Sequence, residues 1–117
     1  MNTIVMKFGG TSVASNEKLK NIAEIVIRNV KNHKIVVVLS AMAGETNKLQ
    51  SYLDEFESKN SIESDLVLTS GEQVTIGLLS AILKNKGIKS IPLLGWQVPI
   101  ITDKNYEKAK ILKIDKK

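Results

Sequence analysis

Two short apolar runs constrain this chain more than any other feature: residues 4–8 (IVMKF) and residues 35–39 (IVVVL), each of strand length and rich in β-branched side chains. Each run stops at small residues, the first at Gly9 and Gly10, the second at Ser40 and Ala41. Between them Leu19, Ile22, Ala23, Val26, Ile27 and Val30 recur at helical spacing, with Ser15 or Asn16 available as the cap and Glu17 in the first turn. That spacing predicts a helix reaching about Asn32. Strand, helix and strand make a βαβ unit, and a run as continuously apolar as IVVVL is expected to be covered on both faces, as in a parallel sheet.

Beyond Gly44 the same reasoning continues. Leu49, Tyr52, Leu53 and Phe56 predict a second helix that starts near Thr46 and fades over residues 58–61. From Asp65 onward, Leu68, Ile76, Leu78, Leu79, Ile82 and Leu83 predict a long helix ending at Gly87, with Lys84 and Lys86 in its last turn. Gly71 and Gly77 weaken that helix locally, which marks each as a candidate for close approach by a neighbour. Residues 88–94 read as a third strand, broken by a turn at Gly95, Trp96 and Gln97, and residues 109–114 as a short fourth. The fold class is therefore α/β, a parallel sheet with helices on both faces. Ligands of such sheets bind beyond the carboxyl ends of the strands, which selects residues 9–12, 40–46 and 95–97.

Composition narrows the function classes. The 117 residues suit one domain, and with no cysteine there is no disulfide, thiolate metal site or thiol nucleophile. The net charge of +5 suggests nucleic acid until it is located. Residues 1–103 hold 11 basic against 10 acidic side chains, whereas residues 104–117 hold six lysines against two acids. The basicity is thus a Lys-rich end, and the five aromatic residues are scattered rather than interleaved with it, so no nucleic-acid partner is expected. Residues 35–39 are the longest unbroken apolar run, far short of the roughly 20 needed to span a bilayer. No membrane or targeting segment is expected, and the location is read as cytoplasmic.

Three places carry candidate chemistry. Lys7-Phe8-Gly9-Gly10-Thr11-Ser12 sets a lysine at a strand end before two residues without Cβ and two hydroxyls. Backbone N–H groups of such a turn can converge on phosphate oxygens beside the lysine charge, or the segment is a plain tight turn with a solvated lysine. It matches neither GxxxxGK[ST] nor GxGxxG. Residues 40–47 (SAMAGETN) form a loop of small residues and hydroxyls with room for a small polar ligand, although Thr46 equally suits the cap of the next helix. Glu72, in Ser70-Gly71-Glu72, is a carboxylate within an apolar helix: facing inward it needs a cation such as a substrate ammonium group, facing outward it needs nothing. His33 has no second histidine or carboxylate at ligand spacing, so no metal site is assigned and the residue is read as a polar turn residue.

Taken together, VMKFGGTSVAS, VVVLSAMAGETN, LTSGEQV and LLGWQVPIITD, in that order, resemble the amino-terminal part of the amino acid kinase domain of aspartate kinases, over essentially the whole chain. The resemblance implies an incomplete αβα sandwich and transfer of the γ-phosphoryl group of ATP, with Mg2+, to the β-carboxylate of aspartate. The product, 4-phospho-aspartate, opens lysine, threonine, methionine and diaminopimelate synthesis. It further implies that Lys7 neutralises the transferred phosphoryl group and that Phe8, Gly9, Gly10 and Ser12 hold the nucleotide phosphates. Ser40 would lie between the reacting groups with Ala41 beside it, Thr46 would bind aspartate, and Glu72 would pair with its ammonium group. The family's later GRGGSD segment, its arginine for the substrate carboxylate, its adenine-binding region and its ACT domains have no counterpart in residues 1–117. The chain alone is therefore expected to be inactive, and to form a homo-oligomer or join a complementing chain. The rival expectations are a kinase of glutamate, acetylglutamate, carbamate or uridylate, disfavoured by KFGGTS with SGEQ, and a non-catalytic assembly module.

Overall fold

The computed structural model describes residues 1–56, 58, 60–98 and 100–114; Lys59 and residues 115–117 of the Lys-rich end lie outside the described residues. Strand β1 (Thr3–Phe8) leads through a 3-10 turn (Gly10–Val13) into helix α1 (Asn16–Val30), and β2 (Lys34–Leu39) follows. Helices α2 (Glu45–Glu55) and α3 (Ile62–Asn85) come next, then a 3-10 turn (Gly95–Gln97) and a hairpin of β3 (Ile100–Thr102) and β4 (Ile111–Ile114).

Strands β1 and β2 pair in parallel from Thr3 opposite Lys34 to Phe8 opposite Leu39. The βαβ unit is thus present with the boundaries that the apolar runs and glycines imply. Ser15 caps α1 by accepting the Lys18 N–H at 3.3 Å, and Glu17 in the first turn complements the helix dipole. Ser61 and Ser64 cap α3 reciprocally: Ser61 Oγ accepts the Ser64 N–H at 3.2 Å, and Ser64 Oγ accepts the Ser61 N–H at 2.9 Å. This box starts α3 three residues before Asp65, where apolar periodicity alone would begin it. At the other end Gly87 takes φ +82, the left-handed conformation that lets the Ile88 N–H reach Leu83 O at 2.9 Å and close the helix.

The core lies between one face of the sheet and helices α1 and α3. Val13, Leu19, Ile22, Ala23, Val26, Leu79 and Leu83 are buried there, with Phe8, Ile35, Val37, Leu39, Met42 and Ile88 packed against them. The other sheet face carries Val5, Val36 and Val38, exposed by 64%, 47% and 45%. So the α/β class and the parallel pair agree with the sequence, and the domain is incomplete: the cover expected over both faces of IVVVL is supplied to one face by the described residues. Residues 88–94 do not form the expected third strand, because a strand needs a neighbour to take its hydrogen bonds and these residues pair with neither β1 nor β2. The expected fourth strand is present in part as β4, but its partner is β3, antiparallel and in a separate sheet.

By length and composition α3 could cross a bilayer, a property that the longest-run test overlooks because polar residues punctuate it. In this fold it is a packed helix, with Gly71, Thr75, Leu79 and Leu83 buried along one side and Glu72 half-buried at its middle. His33 does sit in the turn before β2, but half-buried, and its Nδ1 lacks a hydrogen-bond partner among the described residues.

Candidate functional site

The carboxyl ends of β1 and β2 and the middle of α3 meet around Ala41. The Ser40 N–H donates to Phe8 O at 3.2 Å, extending the strand pairing one residue past β2 and setting the 40–44 loop beside the glycine turn. A Cβ on Gly10 would lie 3.5 Å from Ala41 O and 3.7 Å from Ala43 N, ordinary contact that leaves little room for a larger side chain. On the opposite side of Ala41, a Cβ on Gly71 would lie 2.9 Å from Ala41 Cβ, closer than such atoms approach. Buried Thr75, one turn further along α3, donates its hydroxyl to Ser40 O at 2.8 Å. Small residues at 10, 41 and 71 are thus what allow two strand ends and a helix to come together.

Each candidate residue can now be placed. Lys7 is exposed near the end of β1, opposite Val38 in register and on the open sheet face. Phe8 turns its side chain into the core, so only its backbone belongs to the site. Gly9 is exposed with nothing within 4 Å of a Cβ built on it, and the Ser12 N–H closes the turn on Gly9 O at 3.0 Å. Ser40 is half-buried with both backbone groups bonded, while Ala41 is buried. Thr46 is exposed in the first turn of α2, whose N-cap is Gly44 at φ +85, so the Thr46 hydroxyl is not consumed in capping. Glu72 is half-buried next to Gly71. The ion pairs among the described residues are Lys20 with Glu17 and Lys86 with Glu24, and neither Lys7 nor Glu72 takes part in one.

Two features depart from expectation. Residues 95–97 form the turn but not a third wall: Trp96 is 78% exposed and a Cβ on Gly95 would meet nothing within 4 Å. That place is taken by Gly71 and Thr75 of α3. Thr75 carries no signal in the sequence, because a threonine at a buried helical position gains meaning only from its partner on another element. Gly77, the other glycine of α3, is exposed with open space around it and has no close neighbour. Open surface depressions lie elsewhere, beside the β3–β4 hairpin at Gln50, Asp54, Asn60 and Glu107 and at Lys104, Asn105, Tyr106 and Lys108.

Comparison with known proteins follows the same segments. The chain is 46% identical over 116 residues to an aspartokinase of Rickettsia felis, covering 95% of this chain and 29% of that protein. It is 43% identical over 117 residues to an aspartokinase of Geobacillus stearothermophilus, again spanning 29% of it. The crystal structure of an aspartate kinase from Synechocystis superposes with a TM-score of 0.69 at 36% identity, covering 74% of this chain and 15% of the other. The chain therefore spans less than a third of the length of these relatives. The family model for the amino acid kinase family matches residues 2–117, and the chain belongs to that family.

Proposed function

We propose that residues 1–117 provide the phosphate-facing and aspartate-facing part of an aspartate kinase. The observation that carries this reading is the meeting of the glycine turn, the 40–46 loop and the Gly71–Glu72 turn around Ala41, with Lys7 and Glu72 in no ion pair among the described residues. In the proposed reaction ATP is the donor substrate: a β-carboxylate oxygen of aspartate bonds to the γ-phosphorus, the bond from that phosphorus to the bridging oxygen breaks, and ADP leaves. Negative charge redistributes over the phosphoryl oxygens, and a fixed cation stabilises it most where the charge changes most. Lys7 would supply that cation. The rim of the turn formed by Phe8, Gly9, Gly10 and Ser12 would hold phosphate oxygens, and Ser40 with Ala41 beside it would separate and orient the two reactants. Thr46 would bind aspartate, and the Glu72 carboxylate would take its ammonium group.

Gly9, with open space where a Cβ would stand, and exposed Lys7 suit a phosphate. Mg2+ is different: among the described residues no three His, Asp or Glu side chains gather at ligand spacing, so the ion would travel with the nucleotide and no step here runs through it. The proposed product is 4-phospho-aspartate, the entry to lysine, threonine, methionine and diaminopimelate synthesis, and the proposed location is the cytoplasm. Residues 1–117 alone are proposed to be inactive, because groups that act as a unit lose far more than half their effect when half are missing. The open face at Val5, Val36 and Val38 favours a second copy or a complementing chain as partner. It also keeps a non-catalytic assembly role as the second reading.

The test replaces the matching segment of the Rickettsia felis aspartokinase with these residues and traps acyl phosphate as the hydroxamate. Turnover that falls in Lys7→Ala, with a raised KM for aspartate in Glu72→Ala, supports the assignment. Turnover indifferent to both changes overturns it.

A further inference from the structure

We propose that Thr75 is a positioning residue that locks the Ser40 loop to the Glu72 turn, so that the two sides of the aspartate site are set before any ligand arrives. The inference rests on the assignment of Ser40 and Glu72 given above. Its basis is an unusual use of a helical hydroxyl. Ser and Thr within a helix ordinarily bond back to a carbonyl three or four residues earlier. In α3, Thr69 Oγ1 donates to Asp65 O at 2.9 Å and Ser70 Oγ to Val67 O at 2.7 Å, while Ser64 and Ser80 also reach side chains beyond the helix, at Glu107 and Ser90. Thr75 has such an acceptor in Glu72 O at 3.1 Å, yet its shorter contact, 2.8 Å, runs to Ser40 O, 35 residues away.

Thr75 is 0% exposed, so water does not compete for its single hydroxyl proton. Gly71 and Thr75 share one side of α3 at i and i+4. The first admits Ala41 Cβ against the helix, and the second fixes the carbonyl of the preceding residue. Ser40 also donates its N–H to Phe8 O at 3.2 Å, so two hydrogen bonds in series join the end of β1, the loop and the helix. Lys7, Ser40 and Glu72, on three different elements, are thereby held in one frame. Holding reacting groups in place before the reaction is the main protein contribution to phosphoryl transfer.

The test uses the 117-residue chain with Thr75→Val, which keeps the shape and removes the donor, and Thr75→Ser, which keeps the donor. Amide hydrogen exchange should accelerate about five- to tenfold at Ser40 and Glu45, whose N–H groups are bonded to Phe8 O and Met42 O, in Thr75→Val, with the amides of α1 unchanged, and return to within about twofold of the parent in Thr75→Ser. Exchange at Ser40 and Glu45 that matches the parent, or that rises equally throughout the chain, or that Thr75→Ser does not restore, overturns the proposal. Titration with aspartate, in parallel with Glu72→Gln, separates the two layers. Binding lost in Glu72→Gln and weakened in Thr75→Val supports both. Binding unaffected by Glu72→Gln overturns the site assignment, while the exchange result still decides the lock.

Discussion

Two glycines of the same helix should respond differently to one change. Gly→Ala within a helix ordinarily stabilises by about 1 kcal/mol, because alanine restricts the unfolded chain and extends the helix surface. At Gly77 a new Cβ meets nothing within 4 Å, so Gly77→Ala should gain that full amount. At Gly71 the same Cβ would stand 2.9 Å from Ala41 Cβ and 3.5 Å from Leu49 Cδ1. Carbon atoms are most favourable at about 3.5–4.0 Å, so the helix or the loop must move by more than half an ångström. The loop cannot yield freely, because Ser40 is bonded on one side to Phe8 O and on the other to Thr75. Overpacking of this kind costs about 1–3 kcal/mol, which outweighs the propensity gain. Gly71→Ala should therefore be neutral to about 2 kcal/mol less stable, and the two variants should differ by roughly 1–3 kcal/mol. Urea unfolding of the purified chain, followed by far-ultraviolet circular dichroism, measures both. Equal stabilisation by the two substitutions would refute the close approach of α3 to Ala41.

Other expectations follow from single contacts. Ser61→Ala removes one half of the reciprocal cap of α3 and should lower stability by about 1 kcal/mol, read from the thermal midpoint. Replacing Val5, Val36 and Val38 together by Thr keeps β-branched side chains in the strands while making the open sheet face polar. Sedimentation velocity should then show less self-association than in the parent chain, by about 1 kcal/mol for each valine that a partner covers. In the grafted kinase, Glu72→Ala should raise the KM for aspartate by the equivalent of about 2–5 kcal/mol with a smaller change in kcat, and steady-state kinetics separates the two.

What could be recognised in the sequence was what is local. The parallel pair, α1 and the end of α3 were legible because apolar periodicity and glycine punctuation act within about ten residues, and Ser15 and Gly87 sit where the ends require them. The motif segments were legible as a family pattern, and two of the three sheet-edge segments do meet. Residues 88–94 misled because apolar content says nothing about whether a neighbouring strand is available. The α3 boundary shifted because Ser61 and Ser64 cap each other, a pattern that periodicity does not see. Gly71 and Gly77 read alike in sequence and differ only through Ala41, and Thr75 gains its role from a carbonyl 35 residues away. Long-range partners of this kind are decided by how the elements pack.

The proposed function requires one ligand site formed by the glycine turn, the 40–46 loop and the Gly71–Glu72 turn. It is tested most directly by titrating the isotopically labelled chain with aspartate, at roughly 1–10 mM, the range of weak binding, and following each backbone amide by NMR. Shifts are expected to concentrate at Ser40, Ala41, Thr46 and Glu72, to spread to Gly9 and Gly10, and to be abolished by Glu72→Gln. Shifts confined to the lysines at 104, 108 and 110, or a spectrum unchanged at Ser40 and Glu72 throughout the titration, would contradict it.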